Sequence, residues 1–148
     1  MISLQSNEFI DPKIIDYIIP SEKVAHVQIG NSIEHALLVL TKSGYSAIPV
    51  LDARFKLHGL ISSAMITESI LGLERIEFEK LSDKKVEDVM AVKIPRLSLD
   101  DPFEKAIDLL IDHPFICIAD SESYFEGIFT RRALLKEMKI FVHKFNHA

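Results

Sequence analysis

The chain has 148 residues, of which 48% are apolar and 26% charged, with a formal net charge of −5; this excludes a disordered chain and leaves room for one domain or two small subdomains sharing a core. The acidic balance speaks against a dedicated DNA or RNA binder, whose affinity rests on clustered Lys and Arg. No apolar run approaches the roughly 20 residues of a membrane span, no signal-peptide h-region follows Glu8 and Asp11, and the one cysteine, Cys117, excludes an intrachain disulfide; the expected compartment is the cytoplasm.

In chain order, residues 4–19 hold Leu4, Phe9, Ile10, Ile14, Ile15, Ile18 and Ile19 around Pro12. This predicts two short helices, the second opened by Asp11-Pro12 and closed near Pro20. Val24–Ile29 reads as a short strand. Asn31 or Ser32 caps a helix apolar at Ile33, Ala36, Leu37 and Leu40, and Gly44 ends it. Tyr45–Leu51 is a strand, Asp52–Lys56 a turn and Leu57–Ile61 the returning strand. Ser62 or Ser63 caps a helix to about Leu71. Residues 72–85 are charged and poorly periodic and read as a linker with some helix.

The pattern then returns. Val86–Met90 is a helical turn and Ile94–Leu99 a strand. Asp100 or Asp101 caps a helix with Pro102 at its first position, burying Phe103, Ala106, Ile107 and Leu110. Phe115–Ala119 is a strand holding Cys117, whose neighbours make it a small buried hydrophobe rather than a nucleophile. Asp120–Ser123 turns, Tyr124–Phe129 returns, and Thr130 caps a last helix through about Phe145.

The two halves are copies. Lys23-Val24-Ala25-His26-Val27-Gln28-Ile29 matches Lys93-Ile94-Pro95-Arg96-Leu97-Ser98-Leu99 at an offset of 70, and Glu34-His35-Ala36-Leu37 matches Glu104-Lys105-Ala106-Ile107. After the helix the offset is 68: Ile48–Asp52 lies opposite Ile116–Asp120, and Gly59-Leu60-Ile61-Ser62 opposite Gly127-Ile128-Phe129-Thr130. Each unit reads βαββα, an α/β (α+β) class. Two such units can bury their open sheet faces on each other about a pseudo-two-fold. The expected division is 1–71 for the N-terminal helices and first repeat, 72–85 for the linker, and 86–148 for the second repeat and last helix.

Gly44-Tyr45-Ser46-Ala47-Ile48-Pro49-Val50, the Asp at the turn, and Gly-Leu-Ile-Ser repeated as Gly127-Ile128-Phe129-Thr130-Arg131-Arg132 resemble the CBS domain family, from about Pro20 onward. The resemblance implies a tandem pair, a Bateman module, usually assembled as a homodimer, with adenine-nucleotide sites that mix both repeats. One candidate site joins Lys23, Val24, Ala25, Tyr45, Ser46 and Ala47 to Thr130, Arg131 and Arg132. Ser46 and Ala47 are small enough for a purine to slide against backbone, Ala25 leaves room, and Tyr45 can stack. Thr130 opens a helix whose amides favour phosphate, and the arginines add charge and fork geometry. The second site, Lys93, Ile94, Pro95, His113, Pro114 and Phe115 with Ser62 and Ser63, carries a bulky Phe115 and no arginine, so it is expected empty or weak.

Adenosine-binding members often place an Asp three residues after the Thr or Ser, to hold the ribose hydroxyls. Here Met65 and Ala133 stand there. That disfavours AMP, ADP or ATP and fits a cyclic dinucleotide with esterified ribose. With Lys23, Ala25 and Arg131-Arg132 the chain is similar to bacterial cyclic di-AMP receptors of the DarB/CbpB type. This implies a non-enzymatic second-messenger sensor that docks on partner enzymes, a guanosine tetraphosphate synthetase among them.

Competing readings stay open: an AMP/ATP energy sensor, or a structural dimerisation module with no ligand. Arg131-Arg132 would then be a solvated helix start, set against the macrodipole, and Tyr45–Ala47 a plain strand start. No nucleophile–base set or P-loop indicates an enzyme. The six histidines lack metal-site spacing, and His143 and His147 read as a frayed tail.

Overall fold

The computed structural model describes residues 12–147. In chain order it contains β1 (Ile19–Pro20), β2 (Val27–Gln28), α1 (Ile33–Ser43), β3 (Ala47–Leu51), β4 (Leu57–Ser62), α2 (Ser63–Ser69), α3 (Lys80–Asp83) and α4 (Val86–Val89). There follow β5 (Arg96–Leu97), α5 (Phe103–Asp112), β6 (Phe115–Ala119), β7 (Phe125–Thr130) and α6 (Arg131–His147). These divide into two compact units. One holds Val24–Ile94 and Ser121–Phe125; the other holds the chain through Lys23, Pro95–Asp120 and Glu126 onward. The boundaries read from the sequence follow the repeats, whereas the compact units exchange two short segments, because Ile19–Pro20 pairs with a strand of the second repeat.

In the first unit the sheet order is β2-β3-β4. β2 runs parallel to β3 with Val27 opposite Val50, and β3 antiparallel to β4 with Ala47 opposite Ser62. Ile33, Ala36 and Leu40 of α1 recur at helical spacing and pack on Ile48, Val50, Ile61 and Ile66. The Ser32 hydroxyl accepts from the His35 N–H at 3.1 Å, and Gly44, at φ 78°, ends the helix.

Residues 72–85 are more ordered than a linker. Leu71 bridges to Ile76, the Glu77 N–H donates to Ile70 O at 2.7 Å, the Lys84 ammonium donates to Ser69 O at 2.7 Å, and Leu81 packs on the core. Backbone hydrogen bonds, invisible to a periodicity reading, hold a segment whose own side chains are mostly charged.

The second unit has the sheet order β1-β7-β6-β5, with β5 parallel to β6. Ile14, Leu97, Ala106, Leu110, Ile116, Ile118, Phe129 and Leu134 form its core, and the Tyr17 ring lies 5.3 Å from Phe103 and 6.0 Å from Phe129. The helix expected up to Pro20 is a single 3-10 turn, Ile14–Asp16, followed by β1. Its isoleucines are β-branched and suit extended backbone, and the free edge of β7 supplies partners. The other N-terminal helix falls outside the described residues. Neither Asp100 nor Asp101 caps α5: Pro102 is the N-cap, and the Asp101 carboxylate accepts from the Ser98 N–H at 2.8 Å. The last helix runs on through His147, past the expected end near Phe145.

In each unit a further segment lies along the outer edge of the last strand. Ala91 bridges Leu60 of β4, and β1 pairs with Ile128 and Gly127 of β7. A Cβ on Gly59 would sit 2.3 Å from Ala91 O, and one on Gly127 2.3 Å from Ile19 O. Backbone atoms cannot swing away as a side chain does. Gly59→Ala and Gly127→Ala should each cost at least the ~1–3 kcal/mol of core overpacking, read as a lower midpoint in urea unfolding, while Gly30→Ala, with no atom within 4 Å, should pay only for its positive φ. Wild-type midpoints in the first two variants would show that the edge segments shift aside at no cost.

Candidate functional site

The first unit supplies five of the nine candidate residues. β2 runs parallel to β3 with Val27 opposite Val50, and the chain enters β2 through Val24-Ala25-His26 as it enters β3 through Tyr45-Ser46. Val24-Ala25 and Tyr45-Ser46-Ala47 therefore share one end of the sheet. Val24 is buried at 5% exposure, Ala25 and Tyr45 pack half-buried against the core, and Ser46 is exposed. The Ser46 carbonyl accepts from the Ser63 N–H at 3.2 Å.

The second unit supplies the others. Thr130 ends β7, and its hydroxyl accepts from the Ala133 N–H at 3.0 Å, which makes it the cap the sequence predicts. The Arg131 N–H donates to Pro114 O at 2.8 Å, so two of the first three amides of α6 are engaged. The Arg131 side chain is engaged too: Nε donates to Leu110 O at 2.8 Å and Nη2 to Ile111 O at 3.2 Å. Spacing gave no hint of this, and it departs from the reading of Arg131 as a free phosphate cation. The Arg132 side chain is exposed and has no hydrogen bond or ion pair among the described residues. Lys23, also exposed, closes the 3-10 turn Ser21–Lys23 where the chain passes from one unit to the other. The structure therefore gathers the candidates into two local groups, plus Lys23 at the crossing.

Phe115 is buried, and the Ser62 hydroxyl accepts from the Met65 N–H at 3.1 Å. Elsewhere the Asp52 carboxylate meets His58 Nε2 at 2.8 Å and accepts from the Lys56 and Arg54 N–H groups, and these bonds, that to His58 foremost, hold it down at about 2. They brace the turn before β4. Among the described residues no group of three His, Cys, Asp or Glu side chains could hold a metal, and no helix is long and apolar enough to cross a membrane.

The CBS domain pattern matches residues 14–72 and 86–140, and the chain belongs to the CBS domain family. It is 53% identical over 146 residues, 99% of each chain, to the cyclic di-AMP receptor B of Bacillus subtilis (strain 168). The crystal structure of the CbpB protein of Listeria monocytogenes in complex with c-di-AMP is 60% identical, with a TM-score of 0.84 over 88% of this chain and 97% of that one. A CBS domain-containing protein of Bacillus anthracis is 63% identical, with a TM-score of 0.84 over 90% and 97%. The mixed sheets and helices found here match these CBS pairs.

Burial pushes the Cys117 thiol up to about 12, and the side chain is 1% exposed. A thiol so placed holds almost no thiolate at neutral pH. We expect no reaction of the native protein with Ellman's reagent at pH 8 and one equivalent after guanidinium is added; fast labelling of the folded protein would contradict a fixed β6.

Proposed function

We propose that this chain is a non-enzymatic receptor for cyclic di-AMP that acts in the cytoplasm and regulates partner proteins by its ligand occupancy. The observation that carries the reading is relatedness over 99% of the chain to a receptor of that name. Lys23, Val24, Ala25, Tyr45, Ser46 and Ala47 meet an adenine and its ribose. Thr130 and Arg132 meet a phosphate, and Arg131 stands beside them. With Met65 and Ala133 at the usual ribose-clamp positions, no carboxylate asks for free ribose hydroxyls. The ribose esterified in a cyclic dinucleotide suits that lack, and AMP or ATP does not.

Titration calorimetry with cyclic di-AMP, AMP, ATP and cyclic di-GMP tests this directly. Heat with cyclic di-AMP alone is expected. Heat with AMP or ATP instead would make the protein an energy sensor, and no heat at all would make the pair a structural module. Arg132→Met should weaken cyclic di-AMP roughly ten- to a hundredfold, the loss of a charged hydrogen bond, and Ala25→Leu should block the adenine. Unchanged affinity in both variants would move the site elsewhere.

The receptor works as a homodimer and docks on enzymes, a guanosine tetraphosphate synthetase being the candidate. Support for the dimer lies on α6, where Leu135, Met138, Val142 and Phe145 are 50–64% exposed at spacings of three and four residues. Those spacings make one apolar face, which a second copy can cover. Light scattering should give a dimer mass for the wild type and a monomer mass for Met138→Asp/Val142→Asp; a monomeric wild type would remove the second copy.

A further inference from the structure

The two repeats end their first helices differently. In the first, six residues, Thr41–Ser46, join Leu40 to Ala47; in the second, four, Ile111–Pro114, join Leu110 to Phe115. The last carbonyls of a helix have no partner within it and need donors from elsewhere. At α1 the local loop supplies them: Leu40 O accepts from the Gly44 N–H at 3.0 Å and the Ser43 hydroxyl at 3.3 Å, with Gly44 left-handed at φ 78°. At α5 the shorter loop has no glycine, and the C-cap His113 is extended, at φ −128° and ψ 135°. A left-handed cap is therefore absent. Leu110, the counterpart of Leu40, instead takes its hydrogen bond from Arg131 Nε at 2.8 Å, and Ile111 O takes one from Nη2 at 3.2 Å.

The position of Arg131 repeats too. Its counterpart is Ser63, whose N–H donates to Ser46 O just as the Arg131 N–H donates to Pro114 O. The backbone bond is common to both repeats, while the guanidinium is added only where the glycine cap is missing. A cation at the carboxyl end of α5 also suits the helix dipole.

We propose that Arg131 is the replacement cap of α5 and that Arg132 alone of the pair presents its charge to the ligand phosphate. The second half rests on the receptor reading given above; the first does not. Drawing Arg131 onto a phosphate would strip two helix carbonyls of their donors, whereas Arg132 gives up nothing.

The test pairs Arg131→Gln with Arg132→Gln in the full chain, reading ligand-free melting, hydrogen exchange and cyclic di-AMP affinity. Arg131→Gln should lower the ligand-free melting temperature by roughly 3–6 °C, speed exchange in the peptide spanning residues 107–116, and weaken binding less than about fivefold. Arg132→Gln should leave melting and exchange alone and weaken binding by more than tenfold. If Arg131→Gln does not accumulate folded, Arg131→Lys, which keeps the charge and loses the fork, is measured the same way. Unchanged melting and exchange at position 131 would overturn the cap. Loss of affinity equal in the two variants, without loss of stability, would make Arg131 a ligand. Wild type that ignores cyclic di-AMP would sink the receptor reading, while melting and exchange still decide the cap.

Discussion

At Gly59 and Gly127 a backbone carbonyl from a neighbouring segment fills the space that a Cβ would need, 2.3 Å away. Much else follows from that close approach. The first strand of each sheet is only two residues long, so the last strand's outer edge carries part of the pairing. Ala91 and Ile19–Pro20 pair there because glycine lets them. The chain leaves those pinned segments directly into Lys23-Val24-Ala25 and its copy Lys93-Ile94-Pro95. Residues proposed to meet a ligand thus begin a few positions from a fixed backbone contact, which limits how far they can move.

The repeat and most element positions were legible because they rest on local chemistry. The Ser32, Ser62 and Thr130 caps and the Gly44 stop fall where side-chain reach and φ preference demand. Errors came where a distant partner decides. Ile14, Ile15, Ile18 and Ile19 fit a buried helix face as well as extended chain, and only the edge of β7 settles the matter. Asp101 has the chemistry of a cap, yet its carboxylate turns back to Ser98. Of the candidate site, the Thr130 cap follows from local side-chain reach and was readable from the sequence. The engagement of Arg131 was not, because its partners lie 20 and 21 residues away. A trace of it was present all the same: the fall in offset from 70 to 68 marks a shortened loop, and the shortened loop has no glycine.

The two repeats share one βαββα order, and their differences are confined to particular positions. Three paired positions differ in one direction: Ala47 against Phe115, Gly44 against the glycine-free loop, and Ser63 against Arg131. Phe115 is buried within its unit, so that copy's strand start is filled by its own side chain. Ala47, at the equivalent place, is half-exposed. The arginine pair belongs only to the helix that follows β7, and the first of the pair donates to the end of α5, whose loop is two residues shorter and has no glycine. A symmetric pair would offer two equivalent sites of equal affinity. These substitutions instead leave one strand start with a half-exposed alanine and one helix start with an exposed arginine that has no partner among the described residues.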